Sequence, residues 1–190
     1  QTKNQLNGEY LIFIGSFVPE KDPIALLNIF KLVLYGSPTL KLVYLGAGPQ
    51  KVELEKKIKE LDLSQSVILI PNLKNIFPIL SKAKALVMPS KIEGLPGVIL
   101  EAMYCKIPVI AYDVGGISEV LKSGETGELI EPEDSKSFEV AILKVLNASF
   151  IEIENITSSA KELIIKNYQM DQIVKKFELF HIQLIDQNSD

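Results

Sequence analysis

The chain has 190 residues, 47% of them apolar, and a formal net charge of -4. That length suits one domain with a sizeable core, and a pI near 5.2 argues against nucleic acid as the main partner. Cys105 is the only cysteine and His181 the only histidine, so an internal disulfide and a Cys/His metal set are excluded.

The polar opening, residues 1–9, carries no signal-peptide pattern and reads as a linker remnant ahead of a domain over residues 10–190. Tyr10–Ile14 is an apolar run ending at Gly15 and predicts a buried strand. Asp22-Pro23 supplies an N-cap and a first-turn proline for a helix to Tyr35, closed by Gly36-Ser37-Pro38. Leu40–Leu45 is a second strand, followed by Gly46-Ala47-Gly48-Pro49 and a charged helix over Gln50–Leu61. Val67–Ile70 is a third strand, Asn75–Ala83 a short helix and Lys84–Met88 a fourth strand. A Gly/Pro loop then leads into a helix ending at Tyr104, with Pro96 placed in its first turn. Cys105 follows, reading as a buried inert thiol before a fifth strand, Ile107–Tyr112. Gly115-Gly116 opens a short helix to Lys122, and Glu128–Ile130 is a brief sixth strand. Helices over Asp134–Leu146, Ile153–Lys166 and Asp171–Ile185 complete the chain, the last of them amphipathic and carrying His181.

Strands alternating with helices at this spacing predict βαβ units. The expected fold class is α/β: a Rossmann-like, doubly wound parallel sheet of about six strands with helices on both faces. Apolar runs without alternation fit strands covered on both sides. Such sheets bind ligands beyond the carboxyl ends of their strands, where every Gly-rich loop named above lies. No run of about 18 apolar residues marks a membrane span.

Two glutamates in the fourth βα unit carry the chemistry. Glu93 lies in the Gly/Pro-rich loop and Glu101 in the helix after it. The N-terminus of that helix offers unpaired N–H groups to a diphosphate. A carboxylate can accept two hydrogen bonds from neighbouring hydroxyls, such as a ribose diol. Spacing alone does not distinguish the pair, because Glu125 and Glu133, Glu131 and Glu139, and Glu154 and Glu162 share the same interval. The context of strand, glycines and apolar helix does, although a loop glutamate and an exposed helix glutamate remain the plain alternative. All 20 basic residues are lysines, so no bidentate phosphate fork exists and lysines with backbone N–H groups must hold any phosphate. No Asp-x-Asp pair is present to hold a metal beside a diphosphate.

Taken in order, several stretches resemble the C-terminal, donor-binding half of GT-B glycosyltransferases of the family 4-like group (glycosyl transferases group 1). They are Phe13–Lys21, Leu45–Pro49, Pro89–Gly97 with Glu101-Ala102-Met103, Ile107–Ile110, and Asp113–Glu119 with Gly124 and Gly127. The resemblance runs from Tyr10 to Ile185. It implies that Glu101 holds the nucleotide ribose and that Glu93 faces the transferred sugar. It also implies that Lys21 contacts the diphosphate, which makes Glu93 and Lys21 the catalytic pair, and that N–H groups near Gly97 and Val98 meet sugar and diphosphate. Asn72 and Leu73 would border the base, while Gly15 and Gly46 would let the ligand approach the backbone. Gly46 and Gly48 can equally serve only as turns.

Two departures stand out. Ser16 occupies the first-loop position where the family often has arginine, which leaves Lys21 as the diphosphate clamp, with Lys91 as a candidate substitute. The N-terminal lobe, which in this fold carries much of the acceptor site, is not among these residues.

The expected function is therefore the donor-binding domain of a glycosyltransferase in glycan or polysaccharide biosynthesis, using a nucleoside-diphosphate sugar. The resemblance favours retention of configuration. The expectations include no cofactor beyond the donor substrate, no metal, and no activity without the N-terminal domain. They place the protein in the cytoplasm and leave peripheral membrane-surface association open. A sugar-nucleotide epimerase would need acid/base groups that one histidine does not supply. A non-catalytic nucleotide-sugar-binding subunit is the alternative from another class.

Overall fold

The structure, a computed structural model, describes Leu6 and residues 8–168. The predicted helix Asp171–Ile185, with His181, and most of the linker lie outside the described residues.

The described residues form six strands: β1 (Tyr10–Ile14), β2 (Lys41–Leu45), β3 (Val67–Ile70), β4 (Ala85–Met88), β5 (Val109–Tyr112) and β6 (Glu128–Ile130). They join in one sheet of order β3-β2-β1-β4-β5-β6, every pairing parallel. The helices are α1 (Pro23–Gly36), α2 (Lys51–Glu60), α3 (Phe77–Leu80), α4 (Gly97–Tyr104), α5 (Ser135–Asn147) and α6 (Phe150–Asn167).

The side-chain period of two divides each strand between two helical layers. Leu11 and Phe13 of β1, with Leu42 and Tyr44 of β2, pack with Phe30 of α1, Leu54 of α2 and Phe138 of α5. Tyr10 and Ile12, with Val43 and Leu45, pack with Leu80 of α3, Met103 of α4 and Ile164 of α6. Both faces are covered, which is why the strands show apolar runs and no alternation. Helix faces follow the i, i+3, i+4 rule: Phe138, Ala141 and Ile142 on α5, and Ile99, Ala102 and Met103 on α4. Each large apolar side chain so buried contributes about 1.5–3 kcal/mol.

Several boundaries differ from the sequence expectation. The predicted helix Asn75–Ala83 is the single turn α3, started by the Asn75 carboxamide oxygen accepting from Phe77 N at 3.1 Å. Pro96 is the N-cap of α4 in extended conformation, so the helix starts at Gly97. β5 starts at Val109, because Pro108 has no N–H to give the ladder. The segment opened by Gly115-Gly116 is only a 3-10 turn, Ile117–Glu119. α6 starts at Phe150, earlier than the spacing suggests, because Ser149 and Glu152 form a capping box. Asp22 caps α1 as expected, its carboxylate accepting from Ala25 N at 3.2 Å.

Parallel pairing gathers the loops after all six strands along one rim. The order runs leftward from β1 to β3 and rightward from β4 to β6. The helices that follow β1 and β4 therefore lie on opposite faces at the reversal, where such sheets open a crevice.

Candidate functional site

Two loops meet at that crevice. The chain leaving β1 passes through Gly15, exposed Ser16 and buried Phe17 into a 3-10 turn, Pro19–Lys21. The chain leaving β4 passes through Pro89 and Ser90 into the Glu93 loop. Backbone bonds tie them: Lys91 N and Ile92 N both donate to Glu20 O, at 2.8 and 3.3 Å. Side chains tie them twice more. Lys21 pairs with Glu93 Oε2, and Lys91 Nζ pairs with Asp22 Oδ2 at 2.8 Å. Asp22 adopts a left-handed backbone at φ 44° while capping α1, a conformation that aspartate tolerates because its short side chain bonds locally. Its carboxylate raises the Lys91 pKa, first through the hydrogen bond and then through its charge.

The Glu93 loop is braced from behind by the turn after β5. Gly116 N donates to Gly94 O at 2.9 Å. Gly115, at φ +59°, lies so close that a Cβ there would stand 1.9 Å from Glu93 O. Only glycine fits, for both the conformation and the space.

Glu93 is the most constrained member of the cluster. Its side chain is 4% exposed, and its Oε1 is buried without a hydrogen-bond partner among the described residues. An unmet buried acceptor is costly and calls for an explanation, such as a ligand. Beside it, α4 begins at Gly97 with no side-chain cap on its first-turn N–H groups. Positions 94 and 97 face open space, nothing lying within 4 Å of a Cβ built there. Val98 is half-buried on the same turn. Glu101 follows one turn later and is exposed, its carboxylate making no hydrogen bond or ion pair to another described residue.

The structure thus brings Lys21, Glu93, Gly97, Val98 and Glu101 to one rim, with Lys21 and Glu93 in contact. Asn72 and Leu73 lie further out, exposed beyond edge strand β3. At the usual strand spacing that is about 14 Å across the sheet from β4. Gly15 has room, its nearest neighbour for an added Cβ being the Phe13 ring at 3.6 Å. Gly46 is explained by the chain itself: a Cβ there would stand 1.9 Å from Gly15 O, so glycine lets the loops after β1 and β2 touch.

Sequence reasoning missed the Asp22–Lys91 pair, having read Asp22 only as a cap. It also gave no role to Gln50 and Ser90, whose side-chain oxygens are buried without partners among the described residues. The signal was positional: both residues follow strands at the same rim. Cys105 is half-buried as the C-cap of α4; burial, then the Glu101 charge, push its thiol pKa up. A cavity of about 580 Å³ lies elsewhere, between the amino end of β6, α5 and α6, lined by Glu128, Lys144, Asn147, Glu152 and Ile156. Among the described residues no three His, Cys, Asp or Glu side chains converge as a metal set.

The family described as Glycosyl transferases group 1 matches residues 1–170. An exopolysaccharide phosphotransferase of Streptomyces coelicolor is 28% identical over 190 residues, covering 99% of this chain and 20% of that protein. TarM of S. aureus, crystallised as a mutant with fondaparinux, alpha-GlcNAc-glycerol and UDP, aligns at TM-score 0.81 and 26% identity, over 89% of this chain and 34% of its own. The C-terminal domain of LpcC, a glycosyl transferase group 1 family protein from Francisella tularensis, aligns at TM-score 0.78 and 25% identity, over 89% of this chain and 91% of its own. The chain spans 20% to 49% of the length of eight curated relatives it matches.

Proposed function

The chain belongs to the glycosyl transferases group 1 family and is a GT-B glycosyltransferase domain; from that premise we propose that it binds the nucleoside-diphosphate sugar in a transfer reaction of glycan or polysaccharide biosynthesis. The observation that carries the reading is the buried Glu93 carboxylate, with one unmet oxygen, beside Lys21 and the uncapped start of α4. It matches what a sugar linked to a diphosphate presents: hydroxyl donors next to negative charge.

In this reading the diphosphate meets the N–H groups of Gly97 and Val98 and the Lys21 ammonium. Glu93 accepts from sugar hydroxyls, and Glu101 accepts from the ribose diol. The base extends towards Asn72 and Leu73, past Gly15 and Ser16. As the glycosidic bond breaks, charge grows on the departing diphosphate. The helix N-terminus and Lys21 are fixed where that charge develops, so they stabilise the transition state more than the ground state. The sugar ends on the acceptor with its anomeric configuration retained. No cofactor takes part beyond the donor itself.

Acceptor groups come from a lobe outside these 190 residues, in keeping with the greater length of the relatives. The chain then binds donor but does not turn it over, because the reactants are not held in attack geometry. No described helix is long and apolar enough to cross a membrane; the proposed setting is the cytoplasm, with the acceptor at a membrane surface. The phosphotransferase relative favours no second reading, since four-fifths of that protein lies outside the match.

Calorimetry with UDP, GDP and ADP and their glucose and N-acetylglucosamine esters tests the reading. Saturable one-site binding to at least one pair is expected, weakened in Glu101→Ala by about 1–3 kcal/mol. Absence of binding across the panel would refute it, and robust transfer by the 190 residues alone would refute the half-enzyme part.

A further inference from the structure

Lys21 and Lys91, the lysines of the loops after β1 and β4, are each already paired with a carboxylate. Lys21 is spent on Glu93 and Lys91 on Asp22. Both pairs span the same two loops, which are stitched by Glu20 O. Ser16, in the first of those loops, brings no charge. A diphosphate entering here must therefore share a cation with a carboxylate that is almost fully buried.

We propose that the Lys21–Glu93 pair discriminates the intact sugar nucleotide from the nucleoside diphosphate left after transfer, by making the Lys21 cation available to the phosphates only when a sugar satisfies Glu93. The inference rests on the function proposed above and deepens it.

The argument is one of charge and hydrogen-bond balance. A free nucleoside diphosphate has an ionisable terminal phosphate. In a sugar ester that oxygen is bonded to carbon, so the ester carries less negative charge. A site governed by lysine alone would prefer the more charged product. Here a bare diphosphate draws Lys21 away from Glu93 and leaves a buried carboxylate next to phosphate charge, with no donor on either oxygen. A sugar on the diphosphate reverses each term. It lowers the charge, and its hydroxyls donate to the vacated Oε2 and to Oε1, which no donor among the described residues meets. Glu93 thus opposes the product and favours the substrate. Nucleotide release after transfer is assisted when the Lys21–Glu93 pair re-forms.

The prediction for Glu93 differs in sign from that of a simple binding residue. Removing a contact residue weakens every ligand that touches it. Removing a competitor for Lys21 strengthens the ligand that only competes. Each nucleoside diphosphate of the panel and its sugar esters are titrated into the unaltered chain, Glu93→Gln and Glu93→Ala, with thermal unfolding as a check on folding. The unaltered chain is expected to bind the sugar ester at least as tightly as the bare diphosphate. Both variants are expected to bind the bare diphosphate about fivefold more tightly than the parent and to lose the preference for the ester, the size expected for freeing one partly exposed ion-pair partner. If the parent prefers the bare diphosphate, or if folded variants bind it no better than the parent, the discrimination is overturned while the donor-site reading stands. If the parent binds no nucleotide at all, both fall.

Discussion

Two lysine–glutamate pairs sit at opposite ends of the sheet. Lys21–Glu93 bridges the loops after β1 and β4 at the carboxyl rim; Lys144–Glu128 joins α5 to the amino end of β6, at 2.6 Å. The carboxylates are equally hidden, at 4% and 8% exposure, but the lysines are not, at 26% and 57%. The second pair lines a cavity of about 580 Å³. Empty space alone would draw attention to the β6 end. Glu128, however, keeps no buried oxygen without a partner, whereas Glu93 does. Glu93 also stands beside an uncapped helix start, at the point where the strand order reverses. An unmet acceptor and a converging topology locate a polar ligand better than empty space does, because space without unsatisfied groups offers nothing specific to bind.

Substitutions at the two pairs should separate them cleanly. The largest effect is expected from Lys21→Ala. It removes a charge-assisted contact to the diphosphate, so nucleotide affinity should fall by about 3 kcal/mol, beyond a hundredfold, with the fold retained. Calorimetry reads the loss, and circular dichroism reads the fold. A Lys21→Ala chain that binds diphosphate like the parent would put the phosphates elsewhere. Next comes Glu101→Ala, expected to cost about 1–3 kcal/mol for nucleosides and sugar nucleotides alike, since its contact is with the ribose. A loss confined to sugar-bearing ligands would move Glu101 away from the ribose.

Lys144→Ala sharpens the comparison from the other side. It strands the Glu128 carboxylate and should lower stability by about 1–2 kcal/mol, read from denaturant midpoints, with nucleotide affinity unchanged. Any fall in nucleotide affinity would make the β6 cavity part of the site. Ser16→Arg adds a cation at an exposed rim position. Its gain in diphosphate affinity should be below about 1 kcal/mol and should fade between low and high salt.

The smallest effect concerns acid. Asp134, Glu152 and Glu154 have lowered pKa values. The cause for Asp134 is the Ser137 hydrogen bond, for Glu152 the Ser149 cap, and for Glu154 the hydrogen bond from Lys106. A lowered folded-state value stabilises above the unfolded pKa, and the contribution is lost as pH falls through the folded value. The ordinary values are 3.8 for Asp134 and 4.5 for Glu152 and Glu154, so the loss falls below that range. Hydrogen exchange at pH 7 and pH 3 should show the starts of α5 and α6 losing protection before β1 and β4. Uniform loss across the sheet would contradict this.

Much of the molecule was legible in advance. Apolar runs between Gly-rich loops gave all six strands and their parallel sense. The cap at Asp22 and the last turns of α1 and α5 fell where local chemistry put them. Boundaries slipped where a local signal was overridden: at α3, which packs mainly through Leu80 and has only one turn, and at α6, where the Ser149–Glu152 box starts the helix early. Glu93 and Glu101 stood out because a loop glutamate, a glycine-flanked proline and an apolar helix are adjacent in sequence.

What the sequence alone determined is what neighbouring residues decide together: strand and helix identity, the charge type of each rim loop, and the absence of arginine and paired thiols. What only the tertiary structure decided is which loops touch. Lys21 and Glu93 belong to different βα units, and nothing local places one against the other. They meet because β1 pairs with β4 as well as with β2. The same holds for Gly46 and Gly115, whose missing side chains make room for the backbone of loops distant in sequence. Residue type and spacing act along the chain, whereas a shared cation or a carbonyl at contact distance depends on strand order, which local sequence does not encode.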